Sequence, residues 1–271
     1  MSLSPSLQLV WSLLFVTCLM FGLWCVQLRT RDAGIVDVGW ASSLGLLAIF
    51  YAATVDSPVS LRSWLVGLIA AIWSFRLAIY LLRDRVLGKP EDGRYQKLRS
   101  GFGSRAPLFF FGFFQVQALL AWLFSLPFWL ALHRSGPLDG WDFCGLSLWI
   151  IAFIGESLAD AQLAQYRGDP VNRGKTCRLG LWKYSRHPNY FFEWLYWWVY
   201  VLIAWTAPLG WISLLAPGLM LFFLLKVTGI PATEAQAVRS RGDDYRDYQR
   251  TTSMFIPWFP QKTPVDRNAL N

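Results

Sequence analysis

The sequence predicts an all-α membrane protein that crosses the bilayer seven times, and three observations point to this fold class. Hydrophobic residues make up 55% of the chain and charged residues only 15%, whereas a soluble globular chain carries nearer a quarter charged residues. Trp and Phe are frequent, with 16 and 20 copies, as expected for side chains that face lipid or the membrane interface. Seven apolar runs are long enough, or nearly so, to cross a hydrocarbon core of about 30 Å. They cover residues 7–27, 34–54, 61–82, 107–131, 142–163, 190–207 and 209–229.

The distribution of Lys and Arg predicts the orientation of the chain. Outside the apolar runs, the basic residues lie almost entirely after the first, third, fifth and seventh runs. The opposite side has only Arg62 and Arg134. Because basic loops stay in the cytoplasm, we expect the N-terminus outside and the C-terminus inside. Residues 1–271 then form a single membrane domain, and the polar segment 230–271 is a cytoplasmic tail that caps the bundle or lies against the bilayer.

The composition argues against several other classes of protein. The net charge of +8 could indicate nucleic-acid binding, but in so apolar a chain juxtamembrane Lys and Arg explain it better. The four Cys form no C-x-x-C pair, and the only His residues are His133 and His187. We therefore expect neither a metal site nor a disulfide framework. The first run lacks a basic leading region and a clear cleavage site, so we expect it to be retained as a span.

A polar segment that leads into the sixth run is the strongest candidate for a functional site. Residues 180–193 read Gly-Leu-Trp-Lys-Tyr-Ser-Arg-His-Pro-Asn-Tyr-Phe-Phe-Glu. Pro188 suits the first turn of a helix, which places Asn189 and Glu193 at i and i+4 on one helical face. A carboxylate inside a membrane span is costly and is by default functional. The segment thus predicts a basic, aromatic loop that leads an amide and a carboxylate into an apolar layer.

Three further acids lie inside apolar runs. Asp37 lies near Gly39, which allows close approach of a neighbouring backbone. Either Asp37 pairs with Arg31 at the membrane interface or it belongs to a site, and the sequence leaves both interpretations open. Glu156 and Asp160 lie at i and i+4 near the end of the fifth run. Two carboxylates on one helical face repel each other unless they are protonated or have partners.

Residues 181–190, Leu-Trp-Lys-Tyr-Ser-Arg-His-Pro-Asn-Tyr, followed by Glu193, resemble the C-terminal signature of the membrane steroid 5-alpha-reductase superfamily. Within it, the sequence is most similar to a group of bacterial proteins related to the steroid 5-alpha-reductases. Sterol reductases and isoprenylcysteine carboxyl methyltransferases share a version of the Arg-His-Pro-x-Tyr element. The resemblance covers roughly residues 140–260 and, more loosely, the early runs.

The resemblance implies an NADPH-dependent reductase of the C4–C5 double bond of a 3-oxo-Δ4 steroid or a similar lipid enone. A hydride would reach the β-carbon while an acid polarises the carbonyl oxygen, and a buried, protonated carboxylic acid can donate that hydrogen bond. The expected catalytic residues are Asp37, Glu193 and Tyr184, and the expected substrate contacts are Asp37, Trp40 and Trp73. Basic charge and the resemblance together assign NADPH binding to Asp160, Arg167, Arg173, Lys175, Arg178, Arg186, His187, Asn189, Tyr245 and Tyr248.

No Gly-x-Gly-x-x-Gly follows a strand, so the basic loop, rather than a Rossmann unit, would have to hold the phosphates. The implied location is a bacterial inner membrane, from whose lipids a hydrophobic substrate would enter. The sequence indicates no particular oligomeric state.

Two other functions stay open: an S-adenosylmethionine-dependent methyltransferase acting on a hydrophobic or prenylated acceptor, and a lipid-binding or transport protein without catalysis. A Glu-Glu pair is usual in such methyltransferases, whereas here Trp194 follows Glu193.

Overall fold

The computed structural model describes residues 3–55, 61–227 and 229–261, and within these residues the chain is helical and contains no strand. Six helical stretches of the described chain are long and apolar enough to cross a membrane, which confirms the all-α membrane class. They are Pro5–Thr30, Ile35–Thr54, Leu61–Val86, Gly93–Leu132, Gly140–Gly168 and Gly210–Arg241. Six of the seven predicted runs fall on these stretches. The run at 190–207 instead forms a helix of 17 residues, about 25 Å long at 1.5 Å per residue and thus shorter than the hydrocarbon core.

Ten α-helices follow one another along the described chain. They are α1 Pro5–Thr30, α2 Ile35–Thr54, α3 Leu61–Leu81, α4 Gly93–Phe102, α5 Ala106–Leu132, α6 Gly140–Gly168, α7 Pro188–Ala204, α8 Leu215–Phe222, α9 Ile230–Arg241 and α10 Asp243–Thr251. Two π-helical turns, Leu82–Val86 and Phe223–Val227, extend α3 and α8. Such turns often mark functional positions in helices. The end of the expected tail, residues 262–271, lies outside the described residues.

The chain divides into two units. Unit 1 consists of Met1–Asp142 and Ile203–Ser213, and unit 2 consists of Phe143–Leu202 and Leu214–Asn271. In unit 1, α2 packs against α3 and α5, while α1 packs against α5 and α2. A Cβ added to Gly39 would lie only 2.3 Å from Leu23 Cδ1 of α1. The groups that lie against Gly39 are therefore side chains of α1 rather than the neighbouring backbone that the sequence led us to expect, and a larger residue would have to displace them.

A buried ion-pair network links α3 to the start of α6 within unit 1. Arg62 donates from both Nε and Nη2 to the two carboxylate oxygens of Asp142, each at 2.9 Å. Its remaining donors reach backbone carbonyls of residues 134, 136 and 137. Arg134 also binds Asp142, at 3.4 Å, and pairs with Asp139. The two basic residues that the sequence places apart from all others are thus buried and paired with carboxylates.

The segment that follows α7 makes a tight turn, as its Ala-Pro-Leu-Gly sequence predicts. Leu209 has a positive φ of 60°, a conformation that costs energy for a residue with a side chain. Gly210 donates its N–H to Ala207 O at 2.9 Å. A Cβ on Gly210 would lie 2.0 Å from Ala204 O, so only glycine can close this turn.

In unit 2 the polar tail forms two short helices, α9 and α10, rather than a single amphipathic helix. Gly242, with φ of 56°, separates them and provides the left-handed conformation that the sharp change of direction requires. A small core of Ala237, Tyr245 and Tyr248 packs the two helices together. Beyond α10 the chain runs without regular structure to Gln261.

Candidate functional site

The motif loop, residues 180–187, is fixed to α6 at its beginning. Gly180 has φ of 56°, and a Cβ there would lie 2.3 Å from the side chain of Gln162. That side chain accepts the N–H of Leu181 at 2.9 Å. One residue later, Trp182 donates its indole N–H to Ala159 O at 2.9 Å. Glycine is needed here both for the backbone conformation and for the space that Gln162 occupies.

Arg186 joins the motif loop to the tail. Its Nε donates to Glu234 Oε1 at 2.6 Å. Its Nη1 donates to the carbonyl oxygens of Gln249, at 2.8 Å, and Thr252, at 2.7 Å, where α10 ends. Carbonyls at a helix C-terminus lack partners within the helix, and the planar guanidinium group can reach several of them at once. In the described structure the contacts of Arg186 are thus made to protein groups.

Glu234 of α9 accepts from several side chains at once. Besides Arg186, Gln249 donates to Oε2 at 2.8 Å and Tyr245 to Oε1 at 3.4 Å. His187 Nε2 lies 3.3 Å from the same Oε1. His187 is almost fully buried, and this burial lowers its pKa, because a low-dielectric environment disfavours the charged ring. A carboxylate that no sequence pattern marks therefore organises the His187 end of the motif loop.

The two tyrosines of α10 are buried inside unit 2. Tyr248 donates its hydroxyl to Trp182 O and, at 3.1 Å, to Ser185 O. Burial raises the pKa of both Tyr245 and Tyr248, so both remain neutral donors. In this structure they hold the loop and the tail together.

Asn189 and Asp160 meet at the start of α7. Asn189 Nδ2 donates to Asp160 Oδ1 at 3.2 Å. Asn189 Oδ1 is buried and has no hydrogen-bond partner among the described residues. Glu193 lies one turn further on in α7, as the i, i+4 spacing predicts, and Glu156 one turn earlier in α6. Amide and carboxylates thus lie on two helices of the same unit, with one acceptor still open.

The basic side chains of unit 2 fall into two groups. Arg178 pairs with Asp244 and Asp247, each at 2.9 Å, and resembles Arg186 in this respect. The other group is exposed or half-buried and forms no ion pair with a described residue; it consists of Arg167, Arg173, Lys175, Lys183, Lys226, Arg239 and Arg241. The Arg241 guanidinium lies 4.9 Å from the centre of the Tyr245 ring and is within electrostatic reach of both Arg167 and Asp244. This second group leaves positive charge available on the surface of unit 2.

Tyr184 lies at the edge of the motif loop. Its ring is half-buried and meets Phe259 edge-on, with the centroids 6.0 Å apart. Lys183 Nζ lies 5.8 Å from the centre of the same ring. The backbone carbonyl of Tyr184 accepts the N–H of Trp258 at 2.9 Å.

Asp37 belongs to unit 1, where it lies in the first turn of α2. Tyr95 donates its hydroxyl to Asp37 Oδ1 at 2.7 Å. Arg94 and Arg85 lie 3.3 and 3.7 Å from Oδ2. The cationic partners of Asp37 are therefore these two residues rather than Arg31. Asp37 acts as an acceptor in this arrangement, and the buried phenol of Tyr95 is its donor.

The aromatic substrate contacts that the resemblance implies also belong to unit 1. Trp73 is fully buried, and Trp40 packs edge-on against Phe124 with the centroids 5.7 Å apart. Unit 1 also has a shallow, open surface groove of about 380 Å³ at the end of α3. It is lined by Arg76, Ile79, Tyr80, Arg83 and Asp84.

Sequence reasoning missed four residues of these arrangements: Tyr80, Tyr95, Glu234 and Arg241. Tyr80 follows Arg76 by one helical turn, so the i, i+4 spacing could have indicated a shared face. Arg241 likewise precedes Tyr245, whose ring it contacts, by four residues. Tyr95 and Glu234 have no such local signal, because their main contacts come from segments far away in the sequence. Tyr95 and Asp37 are 58 residues apart.

Comparison with known proteins places this chain in a family. The chain belongs to the family described as "Protein of unknown function (DUF1295)", which matches residues 23–252 and is related to the steroid 5-alpha-reductase superfamily. The chain is also similar to "Uncharacterized protein C594.04c" of Schizosaccharomyces pombe (strain 972 / ATCC 24843), with 25% identity over 87% of this chain and 75% of that protein. No solved structure matches the chain significantly.

Proposed function

We propose that this member of the family is an NADPH-dependent reductase of a conjugated lipid enone, such as the C4–C5 double bond of a 3-oxo-Δ4 steroid. The observation that carries the proposal is Asn189 Oδ1, a buried acceptor without a partner in the described residues. Leaving such an atom unsatisfied costs about 1–3 kcal/mol, and buried polar groups of native proteins nearly always have partners. A carboxamide N–H, as in nicotinamide, has the chemistry to satisfy it. Asp160 holds the Asn189 amide in the matching orientation.

The unpaired cations support a ligand that carries several phosphates. Arg167 and Arg241 lie within electrostatic reach of each other, and an anion beside them would attract both charges. Arg173 and Lys175 are exposed nearby in sequence and have no acidic partner among the described residues. We assign the phosphates to this group. The other residues assigned to NADPH binding would not contact the phosphates. They would hold the loop and the tail in place through their contacts with each other and with the backbone; they are Arg178, Arg186, His187, Tyr245 and Tyr248.

NADPH, when bound, supplies the hydride for reduction of the enone. The chain has to polarise the carbonyl oxygen, on which negative charge develops. Of the acids expected from the sequence, Asp37 accepts a hydrogen bond from Tyr95 and lies beside two guanidinium groups, so we assign it a positioning role. We assign the carbonyl contact to Glu193 or Tyr184, which belong to the same unit as Asn189. Glu193 and Tyr184 stay candidates for proton transfer in unit 2.

We also propose that the chain crosses a bacterial inner membrane seven times, with the N-terminus outside and the C-terminus in the cytoplasm. The helix α7 would be the additional crossing, since its 17 residues are strongly apolar and slight thinning of the bilayer accommodates a short span. With this count, the basic loops and the tail all face the cytoplasm. The predicted nucleotide site then faces the compartment that holds NADPH.

Ligand binding to the purified protein tests the proposal. NADPH should raise the unfolding temperature of the wild type by mass action, and Asn189→Ala should abolish most of this increase. Asn172→Ala is the matched control, because Asn172 is also in unit 2 and its amide donates to the backbone oxygen of Tyr166. It should lose some stability and keep the response to NADPH. Consumption of a 4-ene-3-ketosteroid with NADPH then tests the reaction.

The other outcomes are equally clear. A rise in unfolding temperature with S-adenosylmethionine and none with NADPH would replace the reductase by a methyltransferase. No response to either ligand would favour a lipid-binding or transport protein. An equal response to NADPH in Asn189→Ala and the wild type would show that the open acceptor does not contact the nucleotide.

A further inference from the structure

A short segment after α10 exposes an unusual number of apolar side chains. We call residues 254–259, with the sequence Met-Phe-Ile-Pro-Trp-Phe, the aromatic tip. Four of its side chains are exposed: Met254 at 41%, Ile256 at 60%, Trp258 at 68% and Phe259 at 76%. Side chains of this kind are costly in water, and a cluster of them marks an interaction surface.

The aromatic tip is held in one conformation by the motif loop. Arg186 donates its backbone N–H to Ser253 O at 2.8 Å, and Trp258 donates its own to Tyr184 O at 2.9 Å. Between these two bonds, Ser185 Oγ donates to Phe255 O at 2.8 Å. The exposed side chains therefore cannot turn inwards without breaking bonds that hold the motif loop.

One residue of the tip shows where the segment lies. Phe255 is 7% exposed, and its ring packs against Phe191 and Trp194 with centroids 5.8 Å away in each case. These partners belong to the first two turns of α7. The tip thus lies beside the N-terminal end of a strongly apolar helix.

A cation lies close to the exposed aromatic side chains. The Tyr184 ring connects them, because it contacts Phe259 and its centre lies 5.8 Å from Lys183 Nζ. Lys183 is exposed. Trp, Tyr and Phe beside Lys are the side chains that prefer the boundary between acyl chains and headgroups, and Lys there attracts anionic lipid.

We infer that the aromatic tip inserts into the interface of the bilayer, with anionic lipid as the partner of Lys183. This inference rests on the crossing of the membrane by α7 in the proposed function. Insertion of Trp258 and Phe259 holds the tip in place, and the tip in turn holds Tyr184, Ser185 and Arg186 through the backbone. Contact with lipid is therefore part of what orders the motif loop.

Environment-sensitive fluorophores on single cysteines test the insertion. Trp258→Cys and Phe259→Cys are labelled on a background without the four native cysteines and reconstituted into phosphatidylcholine–phosphatidylglycerol vesicles. A spin label on the acyl chain near the headgroup serves as quencher. Both positions should lose most of their emission. Arg173→Cys, in the exposed part of the basic loop, should stay unquenched, and Leu14→Cys, on the lipid-exposed side of α1, should be quenched.

Each result has one meaning. Emission at position 258 that matches the water-exposed position 173 would overturn the inference. So would a blue-shifted emission without quenching, because the tip would then contact protein and not lipid. If the label at Leu14→Cys is quenched and the labels on the tip are not, the protein is inserted in the membrane but the aromatic tip is not, and the inference about the tip is refuted.

The link to the motif loop has its own measurement. In vesicles, Trp258→Glu together with Phe259→Glu should speed hydrogen exchange at the amide of Arg186, while Leu179→Glu, an exposed residue of the same unit, should leave it unchanged. Unaltered exchange in the double variant would contradict the ordering role. NADPH binding is not used as a readout here, so the inference and the proposed function can fail separately.

Discussion

Arg186→Met should destabilise unit 2 strongly. Methionine keeps the length and the apolar stem of the side chain but has no donor. Glu234 loses the partner at 2.6 Å, and the carbonyls of Gln249 and Thr252 lose theirs at 2.8 and 2.7 Å. Arg186 is only 9% exposed, so water does not easily replace these contacts.

The magnitude follows from two contributions. Removing one partner of a buried ion pair costs about 3–5 kcal/mol, mostly because the other charge stays buried. Each carbonyl without a donor adds up to about 1–3 kcal/mol, but relaxation and water at the end of α10 offset part of that. We expect a total of about 3–5 kcal/mol. At about 2–4 °C per kcal/mol for a chain of this size, the unfolding temperature should fall by roughly 6–20 °C.

The fall in unfolding temperature is measured by thermal unfolding of the detergent-purified protein, with tryptophan emission as the signal. Arg250→Met is the matched control, because Arg250 is 67% exposed and its i, i+3 contact with Asp247 is 3.4 Å long; such surface pairs contribute little. Arg186→Lys should give an intermediate value, since lysine keeps the charge but cannot reach three acceptors at once. Equal shifts for Arg186→Met and Arg250→Met would refute the reasoning.

Three further predictions concern the same fold. In a chemical denaturation assay, Gly180→Ala should lower the free energy of unfolding by about 1–3 kcal/mol, because alanine is strained at positive φ. Gly168→Ala is the control and should have little effect, because a Cβ at Gly168 meets open space. Burial lowers the pKa of His187. As the pH falls below about 6.5, the unfolded chain therefore binds a proton at this residue before the folded chain does. The unfolding temperature should accordingly fall more steeply with decreasing pH for the wild type than for His187→Gln. Arg62→Met should cost about 3–5 kcal/mol by thermal unfolding, because buried Asp142 then keeps only the 3.4 Å contact with Arg134 as an ion pair.

The spans were predictable because hydropathy is a local property. A run of apolar residues needs no knowledge of its neighbours to form a helix in a membrane, since every backbone group is satisfied within the helix. The first five predicted runs accordingly differ from α1, α2, α3, α5 and α6 by a few residues at each end. The π turns that extend α3 and α8 were not predictable, because they depend on how each helix packs and not on its composition.

The candidate site was predictable only as far as helical spacing reaches. The helix that begins at Pro188 places Asn189 and Glu193 one turn apart, as the sequence indicates. The partner of Arg186 is 48 residues away in α9, so the Arg-His-Pro-x-Tyr signature marks this arginine but does not show what it contacts. The signature and the charge therefore identified the loop but could not show which of its cations are paired.

That difference between the cations bears on how the loop would bind an anion. Arg178 and Arg186 are paired with acids or carbonyls of the tail, so the loop is held in shape without any ligand. Arg167 and Arg241 form no ion pair with a described residue, and Asp244 lies only within electrostatic reach of Arg241. A phosphate that binds them gains attraction, and it does not have to order the loop first. Because ordering a flexible segment is a major cost of binding, the paired arginines contribute to affinity without touching the ligand.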